Sequence, residues 1–349
     1  MSKKSAIVYA DHFFNSPNGK TAHGLVRFSK RFEVACVVDT TVKEGDAGEI
    51  LDGVKRNIPL YNSLEKSLEK SKADIFIIGA VSEGGYLPEG YDKAVTWALD
   101  KGLDVVSGLH EFISDNPTFS KLADKKNCII TDVRKIFRDY KRFYTGDIKN
   151  VKSKRIAVLG TDSAIGKRTI AVMINEELNK INIKSDMIYT GQTGWMQGWP
   201  HGIVLDAMIN DFISGGIEGA ILDSWNDLKP DFMIIEGQGS IVHPFFPGGF
   251  EILAAGKIDG FILVDAPKRP HLDGFPEYPM PDPGRVVKIA ELLTEKPVLG
   301  IGINRENMDK NDINIAKAKL KERFNVPIIE PLSEGVNQIV DFLEEMDVR

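Results

Sequence analysis

The residues that could bind phosphate lie in one glycine-rich stretch near the middle of the chain. An apolar run, Ile156–Leu159, comes directly before this stretch and predicts a buried parallel strand, and a helical pattern follows it. Backbone N–H groups at the start of a helix point toward an anion, and a lysine adds a positive charge. The stretch therefore predicts a phosphate-binding loop, and each of its residues is a candidate cofactor-binding residue. It consists of Gly160, Thr161, Asp162, Ser163, Ala164, Ile165, Gly166, Lys167, Arg168 and Thr169.

This loop differs from the common phosphate-binding pattern at two places. Five residues rather than four separate Gly160 from Gly166, and Arg168 stands where Ser or Thr usually binds magnesium. Thr169 follows one place later, but it points in another direction on a helix. A guanidinium donates hydrogen bonds and cannot coordinate a metal. Arg168 therefore favours a phosphate-rich ligand that is bound with little or no metal, and we predict no metal ligand in the chain.

Three side chains are candidates for catalysis. Glu236 follows the apolar run Phe232–Ile235, which puts it at the carboxyl edge of a buried strand. In P-loop proteins a residue at this position faces the bound phosphates. His243 lies seven residues further on and could act as a base, with a structural role as the alternative. Asp206 is predicted to lie early in a helix over residues 202–213. The alternative to a catalytic role is a structural one, in which its charge interacts favourably with the helix dipole.

Two further loops contain candidate binding residues. Gln192 and Thr193 follow a predicted strand directly and are candidate cofactor-binding residues. The neighbouring Trp195 either stacks on a base, covers an acyl pocket or packs within the loop. Lys268 and Arg269 follow another strand and offer cationic donors to a substrate carboxylate, with an exposed basic loop as the alternative.

The composition is that of an ordinary globular protein. The chain has 349 residues, of which 42% are hydrophobic and 27% charged, and it is long enough for two domains. Its net charge of −6 argues against nucleic acid as a partner, so a small-molecule substrate is expected. Cys36 and Cys128 lie in apolar runs and are expected to be reduced thiols, which indicates the cytoplasm. We expect no membrane span, no signal peptide and no zinc site.

Strand-like and helix-like segments alternate along the whole chain. This alternation predicts an α/β protein with two doubly wound parallel-sheet domains. Residues 1–150 would form a Rossmann-like domain. Residues 132–155 are a basic connector whose sequence shows neither helical nor strand periodicity, and the domain boundary lies within it, near residue 150. Residues 151–349 would form a domain like that of P-loop NTPases. The predicted strands are Ala6–Tyr9, Val34–Val38, Ile75–Ile78, Val105–Val106, Cys128–Ile130, Ile156–Leu159, Ser185–Tyr189, Phe232–Ile235, Gly260–Val264, Val298–Ile303 and Pro327–Ile329.

After its first strand, the first domain lacks the glycine pattern of dinucleotide-binding proteins, which argues against dinucleotide binding. The segment Asn18-Gly19-Lys20-Thr21 either caps a helix or binds an anion.

The combined motifs resemble one family. The Gly-Thr-Asp opening of the loop and its length are similar to dethiobiotin synthetase and related P-loop proteins. Together with Gly191-Gln192-Thr193-Gly194-Trp195 and with Glu236-Gly237-Gln238-Gly239-Ser240, the loop resembles the D-glutamate N-acetyltransferases, long catalogued as a domain of unknown function. The resemblance covers nearly the whole chain. It implies a Rossmann-like first domain, acetyl-CoA as the donor and the amine of D-glutamate, or of a similar acidic amino acid, as the acceptor.

Acetyl-CoA is compatible with the unusual loop, because its phosphates need cationic donors and its thioester needs no magnesium. On this interpretation Lys167, Arg168 and the loop amides hold phosphates, Glu236 or His243 is the base, and Arg269 binds the substrate carboxylate. The alternative is an ATP-dependent ligase or kinase resembling dethiobiotin synthetase, in which Glu236 binds magnesium and Thr161 or Thr169 contacts it. A third interpretation is a nucleotide-binding sensor without turnover. The sequence leaves homo-oligomerisation open.

Overall fold

The computed structural model describes residues 3–347, and the chain divides into two compact units. The first unit contains the residues up to Asp139 together with Gln192–Trp199, and the second contains Tyr140–Gly191 and the residues from Pro200 onward. Each unit is built on a sheet that is mostly or entirely parallel, so the α/β fold that the sequence predicts is confirmed. The boundary after Asp139 lies inside the basic connector.

The first unit contains a seven-stranded sheet in the order β3-β4-β2-β1-β5-β6-β7, in which only β3 pairs antiparallel among the described strands. Its central strands are buried on both faces, which explains their continuous apolar runs. The strands are β1 (Lys4–Tyr9), β2 (Phe32–Val38), β3 (Gly45–Asp46), β4 (Pro59–Tyr61), β5 (Ile75–Ile78), β6 (Asp104–Ser107) and β7 (Ile130–Asp132). The helices are α1 (Lys20–Phe28), α2 (Ala47–Asp52), α3 (Leu64–Lys70), α4 (Tyr91–Asp100), α5 (Pro117–Lys126) and α6 (Val133–Arg138).

The second unit contains a six-stranded parallel sheet in the order β15-β14-β11-β8-β10-β9, and a separate antiparallel hairpin, β12-β13. The strands are β8 (Lys154–Gly160), β9 (Ser185–Ile188), β10 (Phe232–Glu236), β11 (Gly260–Asp265), β12 (His271–Leu272), β13 (Phe275–Pro279), β14 (Val298–Ile303) and β15 (Ile328–Ile329). The helices from Lys167 onward are α7 (Lys167–Lys180), α8 (Gln192–Gln197), α9 (Asn210–Leu228), α10 (Gly249–Gly256), α11 (Pro283–Thr294), α12 (Lys310–Lys321), α13 (Pro331–Glu334) and α14 (Asn337–Asp347); α8 belongs to the first unit.

Every predicted strand overlaps an observed one, although β7 begins only at Ile130, the last residue of the predicted strand Cys128–Ile130. The helix predicted over residues 202–213 is wrong. That segment contains a single 3₁₀ turn, Leu205–Ala207, and the helix α9 begins only at Asn210 and runs to Leu228. Glycine is common at helix ends, yet α9 continues through Gly215, where the absence of a side chain lets the connector lie against the helix. A Cβ atom at Gly215 would lie 1.9 Å from the carbonyl oxygen of Arg142.

The connector is partly regular and is fixed to α9, which also corrects the sequence prediction. It includes α6 at its start and the first residues of β8 at its end. The buried carboxylate of Glu218 accepts hydrogen bonds from the backbone N–H groups of Thr145 and Ile148, at 2.5 and 3.2 Å. This contact depends on one distant acid rather than on a repeating pattern, so the sequence of the connector does not indicate it.

Within residues 3–347, no helix combines the length and the apolar composition that crossing a membrane requires.

Candidate functional site

The phosphate-binding loop connects β8 to α7 at the carboxyl edge of the second sheet. Gly166 precedes the first residue of α7 with a φ of 97°, a left-handed conformation that glycine adopts without strain. The side chain of Lys167 is buried, and its Nζ donates a hydrogen bond to the carbonyl oxygen of Asp162 at 2.6 Å. The lysine therefore folds back along the loop, as expected for the residue that adds positive charge beside the N-terminus of a helix.

The start of the loop is fastened to the neighbouring strand β11. The backbone N–H of Thr161 donates to the carbonyl oxygen of Val264 at 2.9 Å, and its hydroxyl donates to Asp265 Oδ1 at 2.8 Å. Burial raises the pKa of the Asp265 carboxyl. Because the hydroxyl of Thr161 is fully buried and already donates to a carboxylate, its role in the structure is to position the loop.

Asp162 is a fully buried carboxylate that joins the loop to two other segments. Its Oδ2 accepts from Arg269 Nη1 at 2.8 Å and from the backbone N–H of Asp273 at 2.9 Å. Its Oδ1 accepts from the backbone N–H of Ser163 at 2.7 Å. A buried carboxylate needs such partners to offset its loss of hydration, so the loop conformation depends on Asp162.

Arg269 completes this network from the other side. Its guanidinium also donates to the carbonyl oxygen of Ser163 at 2.9 Å and to Glu306 Oε2 at 2.6 Å. Because two protein carboxylates occupy the guanidinium, the role that the structure gives Arg269 is to hold the loop, and substrate binding stays a prediction. Lys268 is half exposed and pairs with Asp312 at 2.5 Å.

An arginine–carboxylate pair occupies the position where a P-loop protein would have its metal-binding residues. Arg168 Nη2 lies 2.6 Å from Glu236 Oε1, and Glu236 Oε2 accepts from the backbone N–H of Thr190 at 3.1 Å. Glu236 is buried at the end of β10, as predicted. Arg168 Nε is also buried and has no hydrogen-bond partner among the described residues. The pair is tightly enclosed, because a Cβ atom at Gly191 would lie 3.0 Å from Arg168 Nη2.

His243 is buried, and the structure favours the structural alternative for it. Its Nδ1 lies 3.1 Å from the backbone nitrogens of both Phe245 and Phe246, which can only donate. This hydrogen-bond pattern assigns the ring proton to Nε2, which faces Asp162 Oδ1 at 3.5 Å and the carbonyl oxygen of Asp273 at 3.3 Å. The lone pair that would accept a substrate proton is therefore already used in holding the loop after β10.

Asp206 lies on the 3₁₀ turn and not in a helix, so its predicted location is wrong. The extended conformation of Ile209, with ψ at 132°, delays the start of α9 by four residues beyond Asp206. The side chain is exposed, and its Oδ2 accepts from Gln238 Nε2 at 3.4 Å. Asp206 therefore contacts the loop that follows β10, and its catalytic role stays a prediction.

The family models match both units of the chain. A domain of unknown function, DUF1611_C, described as a P-loop domain, matches residues 142–340, and DUF1611_N, described as a Rossmann-like domain, matches residues 40–136. The chain belongs to the DUF1611 family. A DUF1611 protein from Anabaena variabilis has a crystal structure that covers 98% of this chain and 100% of its own, with a TM-score of 0.89 and 25% identity.

Two relatives in the family have names that state an activity. A protein of Tritonibacter scottomollicae named D-glutamate N-acetyltransferase is 30% identical over 84% of this chain and 88% of its own length. A protein of Pseudoalteromonas with the same name is 30% identical over 78% of this chain and 81% of its own. Both similarities extend over most of the two DUF1611 domains.

Gln192 and Thr193, predicted to bind the cofactor, belong to the first structural unit, although the match to the P-loop domain of DUF1611 includes them. Gln192 Oε1 accepts from Arg134 Nη2 at 3.1 Å, and the hydroxyls of Thr193 and Thr21 are 3.1 Å apart. Both side chains are buried, so their observed role is to pack α8 against the rest of this unit. Trp195 likewise stacks under the guanidinium of Arg31, at 4.1 Å from the ring centre.

Sequence reasoning missed several residues that shape the loop of this DUF1611 protein. Thr190, Asp273, Asn304 and Glu306 all follow strands of the second sheet or lie in its hairpin. Asn304 Nδ2 donates to the carbonyl oxygen of Ile165 at 2.9 Å, which fixes the middle of the loop. Their position after the carboxyl ends of parallel strands was the available signal, since such positions converge on one edge of the sheet.

A histidine outside the loop gives the second unit a dependence on pH. His201 Nδ1 lies 2.6 Å from Asp186 Oδ2, and its Nε2 lies 3.1 Å from Asp227 Oδ2. The hydrogen bond to Asp186 is the largest cause that raises the pKa of His201. The charged form therefore stabilises the fold fully below about pH 6.5, the ordinary histidine value, and this contribution is lost as the pH rises through the raised pKa.

We expect a His201→Gln variant to lose more stability at pH 6 than at pH 8, because only the charged imidazolium can donate to both carboxylates at once. Urea unfolding of both proteins at the two pH values measures the difference. A destabilisation that is equal at pH 6 and pH 8 would contradict the ionic role of His201. Replacing the exposed His271 by glutamine is the matched control and should leave the pH dependence unchanged.

Proposed function

We propose that this protein is an N-acetyltransferase that moves an acetyl group from acetyl-CoA to the amine of D-glutamate or of a similar acidic amino acid. The names of the two relatives support an N-acetyltransferase. The observation that carries the choice of donor is the Arg168–Glu236 pair, because it puts a guanidinium where other P-loops bind magnesium. Thioester transfer needs phosphate recognition but no metal.

The residues at the loop suit a ligand with several phosphates. The backbone amides that precede α7, the ammonium of Lys167 and the guanidinium of Arg168 would hold the phosphates of coenzyme A. The buried Nε of Arg168, which lacks a partner among the described residues, supports this role, since a buried donor is costly when it stays unpaired. When bound, acetyl-CoA would supply an acetyl group activated as a thioester.

The reaction needs one base and one proton for the leaving group. The substrate ammonium first loses one proton to solvent. The neutral amine then forms a bond to the acetyl carbon, the carbon–sulfur bond breaks, and its electron pair stays on sulfur. The second amine proton passes to a base and finally to the thiolate, so the products are an N-acetyl amino acid and a free thiol. Glu236 is the candidate base, because each of its oxygens keeps a second lone pair beside its contact with Arg168 or Thr190, whereas the single lone pair of His243 Nδ1 accepts backbone hydrogen bonds.

The alternative of a magnesium-ATP ligase or kinase has less support. It requires Thr161 or Thr169 and Glu236 beside the metal. The hydroxyl of Thr161 instead donates to Asp265, and Glu236 pairs with Arg168. We also propose a cytoplasmic location, which the two free cysteines support.

The test is the stabilisation of the protein by added ligands. We expect coenzyme A and acetyl-CoA to raise the melting temperature equally with magnesium and with EDTA, because a guanidinium replaces the metal. At a ligand concentration of about 100 times Kd the expected stabilisation is about 2.7 kcal/mol. ATP with magnesium is the comparison ligand. A shift that appears only with ATP and magnesium would overturn the acetyltransferase in favour of the ligase or kinase.

A further inference from the structure

Four aromatic side chains form an exposed cluster beside the phosphate-binding loop. We call it the aromatic shelf, and it consists of Phe245, Phe246, Phe275 and Tyr278. The ring centres of Phe245 and Phe246 are 4.5 Å apart, those of Phe245 and Phe275 are 6.1 Å apart, and those of Phe275 and Tyr278 are 5.8 Å apart. Phe245 is 63% exposed, and Tyr278 is 50% exposed. Contiguous exposed rings of this kind usually mark a binding surface.

The shelf is attached to the phosphate-binding loop by hydrogen bonds. The hairpin β12-β13 contributes Phe275 and Tyr278, and Asp273 at its turn accepts from the hydroxyl of Ser163 and donates its N–H to Asp162. His243 lies under the other half, with its ring centre 5.1 Å from that of Phe246. A short two-stranded hairpin is marginal by itself, so these contacts determine where the rings stand.

The topology puts the shelf at the same edge of the sheet as the loop. Phe245 and Phe246 follow β10, and the hairpin follows β11, and these two strands flank β8, which carries the loop. The carboxyl edge of the sheet therefore brings the rings and the phosphate-binding loop to the same side of the second unit. The shelf offers apolar surface where the loop offers positive charge.

The size of the shelf favours a small molecule over a second protein chain. Aromatic side chains bury about 150–250 Å² each, so three exposed rings and the partly buried Phe275 offer on the order of 300–400 Å². A stable interface between proteins needs about 800 Å² on each partner. An extended arm of methylene, dimethyl and amide groups, as in the pantetheine part of coenzyme A, is matched by rings of this extent.

We propose that the aromatic shelf binds the pantetheine arm of the acyl-CoA donor. This inference rests on the proposed function, since it takes coenzyme A as the ligand of the phosphate-binding loop. It adds a specificity site: phosphates fix one end of the donor, and the rings distinguish a pantetheine thioester from a simple nucleotide.

The experiment compares two probes that share phosphates and base. Coenzyme A and 3′-phosphoadenosine 5′-diphosphate, which lacks the pantetheine arm, are titrated calorimetrically into the full chain. We expect the double variant Phe245→Ala, Tyr278→Ala to bind coenzyme A about tenfold more weakly and the arm-free nucleotide as the wild type does. The variant Phe245→Tyr, Tyr278→Phe keeps the rings and should bind both probes normally. Phe143→Ala removes an exposed ring elsewhere in the second unit and is the control.

The possible failures are distinguishable. If neither probe binds the wild-type chain, both the proposed function and the shelf are overturned. If both probes bind and the double variant weakens neither, or weakens both equally, the shelf is overturned while the loop keeps its ligand. Sedimentation of the wild type and the double variant supplies a further outcome: a dimer that dissociates in the variant would mean that a second copy of the chain covers the rings, which also overturns the proposal.

Discussion

Replacing Asp162 by alanine is expected to destabilise the second unit by about 3–5 kcal/mol, the usual effect of leaving a buried charge without its partner. The substitution removes a fully buried carboxylate that accepts from Arg269, from the backbone of Ser163 and from the backbone of Asp273. Arg269 would keep Glu306, but two backbone N–H groups would lose their acceptor. Urea unfolding followed by circular dichroism measures the change.

Two further variants distinguish the effect of the charge of Asp162 from the effect of its side-chain shape. Asp162→Asn keeps an acceptor of the same size, so we expect it to lose less stability than alanine. Combining Asp162→Asn with Arg269→Met removes both charges, and the loss should be smaller than the sum of the two single losses. Additive losses, or an alanine variant within about 1 kcal/mol of the wild type, would contradict the central role of Asp162 in the loop.

The sheets were predictable because each buried strand is a short apolar run. Strands such as β5 and β10 are apolar on both faces, so burial alone makes them visible in the sequence. The start of α9 was not predictable, because it depends on the extended conformation of Ile209 and on the packing of the connector against Gly215. Tertiary contacts of this kind leave no periodic signal.

The candidate site was predictable as a place but not as a set of contacts. Strand, glycine turn and Gly166-Lys167 indicate the loop directly, and Glu236 is where its strand predicts. The sequence could not show that Arg269 is occupied by two carboxylates, or that the Nδ1 of His243 accepts from two backbone groups. Both facts depend on which residues distant in sequence become neighbours.

A single pair explains why this loop departs from the common pattern. In a magnesium P-loop, a hydroxyl and a carboxylate hold the metal that neutralises the phosphates. Here Arg168 replaces the hydroxyl and binds the carboxylate of Glu236 directly, so the positive charge is part of the protein. The guanidinium lies against one carboxylate oxygen as an ion pair, and the backbone N–H of Thr190 donates to the second oxygen. Glu236 is thereby held in one orientation at the strand end.

Replacing Glu236 by glutamine is expected to reduce acetyl transfer to D-glutamate by about 10²–10⁴-fold, the usual contribution of a general base. Glutamine keeps the shape and can still accept from Thr190, but it cannot take a proton from the amine. Release of free thiol from acetyl-CoA gives kcat and KM. We expect the loss in kcat, with binding of coenzyme A retained in calorimetry.

Further variants distinguish a base from a residue that only positions Arg168. Glu322→Gln neutralises an exposed carboxylate at the end of α12 and should leave kcat unchanged. In a Glu236→Ala protein, added formate should restore part of the activity, because a small carboxylate can enter the space and accept the proton. If Glu236→Gln keeps kcat within about threefold of the wild type, another group takes the proton. If Glu236→Gln instead loses coenzyme A binding in proportion to activity, the carboxylate acts by positioning Arg168. In that case Glu236 supports phosphate binding and does not take the proton of the amine.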